Sequence, residues 1–509
     1  MLDDKKDSLS NYKSESSWLV LDYDMEVILM NLLKGMKINN TITNTKGSQY
    51  YKETYNSNLD VFTMLSRNNS DKEIIRLFNN ALNEDEELAL ANLLYLLDIR
   101  SGKGERRIFK TIFKDLCINN TSCALRVLPL IGELGRYDYI LEGLDTTIND
   151  EVISLIKTQL ESDIKSENPS LLAKWLPSHR THNKNSKIAK KIMSGLNMSE
   201  KEYRKTLANL RTKINIIEKN LTEKTYENID FNKVPTKAML KYTNIYINKM
   251  EEQYKQYKEE LKKGTSKINT EGLFSYEIIK KIMWHQNTDN ELCDLMWKNQ
   301  KDVLKGCDTN VLVMADTSGS MLGYGGIPYA TAIGLALYTS ERNYGMFKNH
   351  FMTFSDKPYL CEVKGKNIQE KITNIPSYVA NTDIDKAFEL ILKTAKENYL
   401  EQKELPSHLL IISDMEFDQG VYTQSGTNFQ GWKTAFENEG YTLPKIIFWN
   451  VAGAIQGIPA TKFDNDVAMI SGFSTNILEN LLTLDNYTPT NMMLDKLTIY
   501  LEMLKFDKK

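Results

Sequence analysis

The spacing of hydrophobic residues changes once along the chain, near residue 300. Between about residues 61 and 300, apolar side chains recur at helical spacing in short stretches separated by brief turns. After residue 310, apolar runs of strand length alternate with helical stretches. The first pattern predicts an α-solenoid of antiparallel, HEAT-like helix pairs, and the second predicts a doubly wound, mostly parallel sheet. The expected fold class is therefore α + α/β.

Capping signals indicate where helices of the first part begin and end. Ser70 and Asn83 each stand three residues before a glutamate and just before an apolar stretch, which is the spacing of a capping box. The helix that follows Asn83 is expected to end near Gly102, in a left-handed cap. A single long helix is expected from Thr236 to about Lys263.

The pattern divides the chain into three parts. Residues 1–60 are expected to form a partly ordered arm with one helix around Val27–Leu33, residues 61–300 the helical domain, and residues 301–509 the α/β domain. In the α/β domain we expect strand 311–315, helix 328–343, strands 350–354 and 359–363, helix 383–399, strand 408–413, helix 428–438, strands 445–451 and 467–470, and helices 475–483 and 489–505.

Polar side chains follow two of the predicted buried strands. The apolar run 311–315 ends at Asp316, with Ser318 and Ser320 just beyond, and the run 409–412 leads to Asp414. Ligands of parallel sheets bind outside the carboxyl ends of the strands. Alternate residues of an extended loop project to one side, so the first three side chains can face one point with oxygen atoms. Oxygen ligands alone suit Mg²⁺ or Mn²⁺ better than zinc.

These positions carry a resemblance to a known site. Together with a threonine that opens a later helix, they resemble the metal-ion-dependent adhesion site of von Willebrand factor A domains: Asp316, Ser318, Ser320, Thr382 and Asp414. The resemblance implies that the serines bind Mg²⁺ or Mn²⁺ directly, that the threonine binds directly or through water, and that the aspartates act mostly through water. It also implies that a carboxylate of an acidic protein ligand, or a phosphate, completes the octahedron. Glu416 and Asp418 depart from the pattern and would add negative charge there.

The overall composition does not favour nucleic acid or membranes as partners of the whole surface. A net charge of −3 gives no general attraction to nucleic acid or membranes, so any affinity for either must come from a local patch. Five scattered cysteines and the lack of a long apolar segment predict a cytoplasmic protein without a membrane partner.

Three stretches concentrate basic residues. Two are expected helix junctions, Asp98–Arg107 and Glu133–Asp138, and the third, residues 172–219, has twelve bases against three acids. Such residues could bind RNA phosphates while Trp175 and Tyr203 stack on bases. Capping of helix ends or pairing with nearby acids remains the alternative. The candidate RNA-binding residues are Arg100, Lys103, Arg106, Arg136, Lys174, Arg180, His182, Lys184, Lys187, Arg204, Arg211 and Lys213.

The two junction motifs resemble those of the TROVE module, the helical-repeat ring of Ro-type RNA-binding proteins. In that family the ring precedes a von Willebrand A domain, which is also the order expected here. From about residue 60, the whole chain resembles an uncharacterised family with the same architecture. The resemblance implies a ring as one arrangement open to the helical part, and structured or single-stranded non-coding RNA as a partner.

Three functions follow from these patterns, and we favour the first. It is a non-enzymatic, ribonucleoprotein-type RNA-binding protein whose α/β domain captures a ligand through Mg²⁺. The second is a metal-dependent protein scaffold that binds no RNA. The third is a metal-dependent phosphoester hydrolase, but the sequence shows no two-metal set of carboxylates and no Ser/His/Asp or Cys/His grouping.

Overall fold

A computed structural model describes most of the chain after residue 39. The described residues are 40–43, 49–179, 184–270, 272–285, 288–307, 310–354, 358–375, 383–415, 417, 428–452, 457–479, 481–482 and 487–506. A helical part is followed by a six-stranded, mostly parallel sheet with its helices, which confirms the predicted order of the two structural classes. The helix expected around Val27–Leu33 lies outside the described residues.

The helical part consists of short α-helices joined by turns and 3₁₀ segments. Its α-helices are α1 (Ser57–Met64), α2 (Asp71–Glu84), α3 (Glu86–Leu97), α4 (Arg106–Asn119), α5 (Thr121–Val127), α6 (Ile131–Leu134), α7 (Asn149–Lys165), α8 (Leu172–Trp175), α9 (Lys184–Gly195), α10 (Glu200–Lys213), α11 (Ile217–Glu223), α12 (Thr236–Lys249), α13 (Glu251–Lys263), α14 (Ser275–Trp284) and α15 (Asn290–Lys298).

One of the two predicted helix caps is correct. The Ser70 side chain accepts a hydrogen bond from the Glu73 amide at 3.3 Å, as its spacing indicates. The cap of α3 was assigned wrongly to Asn83, because Asp85 accepts the bond from the Leu88 amide at 3.0 Å. Every residue of α3 from position 89 to 97 is buried, so this helix forms the centre of the helical core.

Gly102 does not form the left-handed cap that the sequence suggested. The left-handed glycine is Gly104, at φ 63°. Gly102 instead lies against the end of α3, where an added Cβ would be 2.1 Å from the carbonyl oxygen of Tyr95. The turn folds back on that helix, because the amide of Lys103 donates to the same carbonyl oxygen at 2.9 Å. Glycine is therefore needed for close approach.

The long helix predicted from Thr236 to Lys263 is two helices. It breaks at Met250, whose backbone has φ −140° and ψ 33°. The break allows Tyr246 from α12 and Tyr257 from α13 to pack on the same ring of Phe231, with centroid distances of 5.2 and 5.1 Å. Aromatic packing on one ring thus overrides continuous helical periodicity.

The α/β part contains every strand that the sequence predicts. Its elements are β3 (Val311–Asp316), α16 (Ile327–Arg342), β4 (His350–Phe354), β5 (Tyr359–Glu362), α17 (Ile368–Thr373), α18 (Ile384–Glu397), β6 (His408–Ser413), α19 (Asn428–Asn438), β7 (Lys445–Asn450), β8 (Val467–Ser471) and α20 (Pro489–Phe506). The sheet has the order β5-β4-β3-β6-β7-β8, and all its neighbouring strands are parallel except the β4–β5 pair. The expected helix 475–483 is instead a 3₁₀ segment, Thr475–Leu478, and helix α17 was not predicted.

A short antiparallel hairpin precedes the helices and packs on the α/β part. Its strands are β1 (Thr41–Thr43) and β2 (Gln49–Tyr51). Tyr51 exchanges two backbone hydrogen bonds of 2.9 Å with Ile458, which lies between β7 and β8. This hairpin was not predicted, because strands of three residues are too short to show an alternation of apolar and polar positions.

The Asp98–Arg107 turn of the helical part packs against the α/β part through side-chain hydrogen bonds. Lys103 donates to the hydroxyl of Ser471 at 2.7 Å and also to the carbonyl oxygen of Phe62. The Tyr500 hydroxyl donates to the Asp98 carboxylate at 2.9 Å. Helix α20 packs on α3, and α14 packs on α16. The two parts therefore share buried polar and apolar contacts.

The buried amine of Lys103 should make stability depend on pH. Burial lowers the pKa of Lys103 from 10.5 to about 7 in the folded protein. Between about pH 7 and 10 the unfolded chain binds more protons at this residue, so its contribution to the free energy of unfolding rises with pH. Below about pH 7 both states are protonated and the contribution is constant. Urea denaturation should show the wild type gaining stability relative to Lys103→Met across that window, and parallel pH profiles would contradict the expectation.

Among the helices that the structure describes, none combines the length and the apolar character needed to cross a bilayer.

Candidate metal site

The candidate site lies where the strand order of the sheet reverses. From β3 the chain proceeds to β4 on one side, and β6 later pairs with the other side of β3. Both β3 and β6 are completely buried and parallel to each other. In sheets of this kind the loops at such a reversal diverge, and ligands usually bind there, at the carboxyl ends of the strands.

Asp316 is the last residue of β3, at the carboxyl edge of the sheet. Its side chain is fully buried, and each carboxylate oxygen accepts a hydrogen bond. One oxygen accepts from the Ser318 amide at 2.8 Å, and the other accepts from the Ser413 hydroxyl at 2.6 Å. These bonds fix the carboxylate and leave further lone pairs on both oxygens, which suits a residue that acts on a cation through water.

The hydroxyls of Ser318 and Ser320 lie side by side just beyond Asp316. Their Oγ atoms are 3.0 Å apart, Ser318 is 4% exposed and Ser320 is exposed. Neighbouring ligands of an octahedral magnesium ion, each about 2.0–2.1 Å from the metal, are about 2.8–3.0 Å apart. The spacing of the two hydroxyls therefore fits two adjacent positions of a Mg²⁺ or Mn²⁺ octahedron.

Asp414 follows β6 and brings a second carboxyl to Asp316. It is 3% exposed. Burial, and after it the charge of Asp414, raises the pKa of Asp316 above its ordinary range. A divalent cation beside the two carboxyls would offset both effects, because it favours their charged forms.

Four of the five predicted metal-site residues are therefore at one edge of the sheet. The fifth, Thr382, lies outside the described residues, as do Glu416 and Asp418. Across the described part of the chain, no group of three or more His, Cys, Asp or Glu side chains could hold a metal ion. A cation at this edge would thus need serine hydroxyls and water among its ligands, which favours a hard ion over zinc.

Ser413 is a further residue of the candidate site and is not among the five predicted ones. Its hydroxyl donates to Asp316 and accepts from the Met415 amide at 3.0 Å, so it links the loops after β3 and β6. Its position, directly before a carboxylate at the end of a buried strand, was the available signal.

Comparison with known proteins finds similarity to two domains of unknown function and to one uncharacterised protein. Residues 310–498 match the model of a domain of unknown function (DUF7788), and residues 151–307 match that of another domain of unknown function (DUF2828). The chain is also similar to an uncharacterised protein, L728, of Acanthamoeba polyphaga mimivirus. The two are 27% identical over 500 residues, which cover 89% of this chain and 86% of the relative. None of these descriptions names a TROVE module or a von Willebrand A domain, so both resemblances stay predictions.

The described metal-site residues all fall inside the first of these matches. Asp316, Ser318, Ser320 and Asp414 lie within residues 310–498. The basic stretch 172–219 lies within residues 151–307. The candidate metal site and the longest basic stretch therefore lie in two different matched domains.

One predicted RNA-binding residue was assigned wrongly. Lys103 is 1% exposed and its amine is hydrogen-bonded between the two parts of the protein. It lies in the turn that joins those parts, so it does not face a surface that RNA could contact. The glycines around it made the turn resemble an exposed junction, whereas they permit close packing.

Five other candidates make contacts within the protein. Arg136 forms a bidentate ion pair with Asp138, with hydrogen bonds of 2.8 and 2.7 Å, and Lys174 forms an ion pair with Glu218 at 3.5 Å. The remaining three donate to backbone carbonyl oxygens near helix ends: Arg100 to Glu133, Arg211 to Ala173 and Leu176, and Lys213 to Ile164 and Ser166. The alternative that these bases cap helices or pair with acids therefore describes their contacts in the folded protein.

The six remaining candidates form two groups of three: residues that are exposed, and residues whose side chains the structure does not describe. Arg106, Lys187 and Arg204 are exposed. Arg180 and His182 lie outside the described residues, and the side chain of Lys184 does too.

Proposed function

We propose that this protein is a non-enzymatic binding protein whose α/β part captures a carboxylate or phosphate ligand through Mg²⁺ or Mn²⁺. The observation that carries the proposal is the 3.0 Å spacing of the Ser318 and Ser320 hydroxyls above the buried Asp316 and beside Asp414. When bound there, the cation supplies an electrophilic position that accepts an anionic oxygen. The test is a magnesium-induced rise in Tm that disappears when both serines are replaced by alanine.

The same arrangement favours binding over hydrolysis. The hydrogen bonds from Ser318 and Ser413 hold the Asp316 carboxylate in place, which suits support of a cation better than proton transfer. His408 begins β6 at the opposite end of the strand from Asp414. Hydrolysis of a phosphodiester that is lost in Asp316→Ala would favour the enzyme alternative.

We also propose that the α/β part, from about residue 301, is a von Willebrand A-type domain and that the preceding helices form a TROVE-like solenoid. The switch point between β3 and β6, the antiparallel edge strand β5 and the polar residues after both central strands support the first assignment. The succession of short helices supports the second.

RNA contact by the helical part is proposed as well, on the strength of a cation–aromatic array that joins all three basic stretches. The guanidinium carbon of Arg136 is 3.5 Å from the ring centroid of Trp175 and 5.7 Å from that of Tyr139. Arg106 is 5.9 Å from the Tyr139 centroid, and Lys174 is 5.7 Å from the Trp175 centroid. Tyr139 is buried, so it can order the two arginines but not stack on RNA. The half-buried Trp175 is the ring suited to an unpaired base, and the cations beside the rings are suited to RNA phosphates. These intramolecular contacts would hold the array in place before RNA arrives.

Exposed bases in the basic stretch 172–219 provide the test of RNA binding. We expect replacement of four of them by glutamine to weaken binding of a mixed-sequence, single-stranded RNA by about ten- to a hundredfold and to flatten its salt dependence by up to about 0.7 per lost phosphate contact. Fluorescence anisotropy over a series of salt concentrations measures both. The four residues, all exposed on α9 and α10, are Lys187, Lys190, Arg204 and Lys205.

The control removes the same charge from the α/β part. Four of its exposed lysines are replaced by glutamine: Lys348, Lys364, Lys393 and Lys403. If both variants bind RNA as tightly as the wild type, the helical part is not an RNA-binding surface and the scaffold alternative gains. Partner capture that EDTA abolishes and ribonuclease leaves intact would point in the same direction.

A further inference from the structure

The N-terminal hairpin contacts the loop that carries Asp414. The Tyr50 hydroxyl donates to the carbonyl oxygen of Met415 at 2.8 Å and accepts from the Phe417 amide at 3.1 Å. The tyrosine is 3% exposed, and its ring stacks on that of Phe417 with centroids 6.4 Å apart. One side chain from the start of the chain thus bridges two backbone groups directly after the metal-site aspartate.

The bridged loop has a backbone conformation that needs support. Met415 has φ 65°, a left-handed conformation that costs a residue with a side chain about 1 kcal/mol or more. Two hydroxyls hold it there: Ser413 accepts from its amide, and Tyr50 binds its carbonyl oxygen. Asp414 lies between these two fixed points, so its position depends on both.

The hairpin that bears the tyrosine is itself fixed to the α/β part. Tyr51 and Ile458 exchange two backbone hydrogen bonds, and Gly457, at φ 128°, lies so close that an added Cβ would be 2.4 Å from the Cβ of Tyr50. The backbone that carries the Tyr50 hydroxyl is therefore held against the α/β part by hydrogen bonds and close packing. A continuous set of hydrogen bonds runs from Tyr50 through Met415 and Ser413 to Asp316.

We propose that Tyr50 is a positioning residue for the metal site, which it serves by holding the loop after β6 so that Asp414 faces Asp316. This inference rests on the proposed metal-binding function. Groups that orient a metal site through hydrogen bonds typically change metal affinity by about ten- to a hundredfold when they are removed. The arm before the helical part would thereby set how tightly the α/β part holds its cation.

The experiment compares Tyr50→Phe with the wild type in two measurements. Without metal, in EDTA, hydrogen–deuterium exchange should accelerate in the peptide that contains Met415 and Phe417, because their bridging hydroxyl is gone. With metal, isothermal titration calorimetry should give an affinity for Mg²⁺ about tenfold weaker. The phenylalanine retains the ring and its packing, so the fold is preserved.

The matched control is Tyr441→Phe. Its hydroxyl is hydrogen-bonded to the carbonyl oxygens of Ala395 and Leu400, at 3.2 and 3.1 Å, near the amino end of β7 and away from the metal edge. It should lose comparable stability and leave both measurements unchanged.

The outcomes separate this inference from the proposed function. Unchanged exchange in Tyr50→Phe, or faster exchange with unchanged affinity for Mg²⁺, would overturn the positioning role while metal binding stands. A wild type that does not bind Mg²⁺ would overturn the proposed function, and with it a role in metal binding for Tyr50, whatever the exchange shows. Faster exchange together with weaker binding, both confined to Tyr50→Phe, would support the inference.

Discussion

Magnesium is expected to raise the Tm of the wild-type protein, and the double substitution Ser318→Ala/Ser320→Ala is expected to abolish that rise. The two hydroxyls are spaced as adjacent ligands of one ion, so removing both deletes two coordination positions at once. At a hundredfold excess over Kd, a ligand adds about 2.7 kcal/mol to stability. For a domain of this size the corresponding rise is about 5–10 °C, measured by calorimetry or dye fluorescence.

The control for this experiment is a serine at the opposite end of the sheet. Ser407 precedes β6, and its hydroxyl donates to the carbonyl oxygen of Asn310 at 3.0 Å. Ser407→Ala should respond to magnesium as the wild type does. A full magnesium-induced rise in the double variant would refute the assignment of Ser318 and Ser320 as ligands, even if the wild type binds the ion elsewhere.

Local sequence patterns were sufficient to predict the elements that flank the metal site. Strands β3 and β6 are buried along their whole length, so each appears in the sequence as an uninterrupted apolar run. Parallel pairing then brings their carboxyl ends together, and with them Asp316 and Asp414. This step needed only the general rule that alternating strands and helices form a parallel sheet.

Contacts between distant parts of the chain could not be predicted in the same way. Tyr50 and Met415 are 365 positions apart, and nothing in the sequence around either residue indicates the other. Lys103 stands between two glycines in a basic stretch, which is the composition of an exposed turn, yet it is buried against residues from three elements. Burial of a charged residue depends on its tertiary partners, which local patterns do not show.

The Asp98–Arg107 stretch resembles a binding motif because its basic residues are close in sequence. Its bases differ in environment: Lys103 is enclosed by the protein, whereas Arg106 is exposed and lies over Tyr139. Arg107, in the first turn of α4, pairs with Asp71 at the start of α2. Closely spaced basic residues thus contribute to the interface, to an exposed surface and to a contact between two helices, and only their three-dimensional positions separate these roles.

Replacement of Lys103 by alanine is expected to destabilise the protein by about 3–5 kcal/mol. The substitution empties the space of a fully buried four-carbon side chain, which costs about as much as truncating a buried methionine or leucine. It also leaves the carbonyl oxygen of Phe62 without this donor, and weakens the contact between the helical part and Ser471 of β8. Urea denaturation followed by circular dichroism measures the loss.

Lys103→Met provides the comparison that identifies the cause of this loss. Methionine fills most of the same volume beside the stacked rings of Phe62 and Tyr95 but donates no hydrogen bond. Because a buried ammonium is costly to desolvate, its replacement by an apolar side chain of similar size should cost far less than alanine does. Equal losses in the two variants would show that the hydrogen bonds of the amine, rather than packing, hold the two parts together. An alanine variant as stable as the wild type would contradict the burial of Lys103 at this interface.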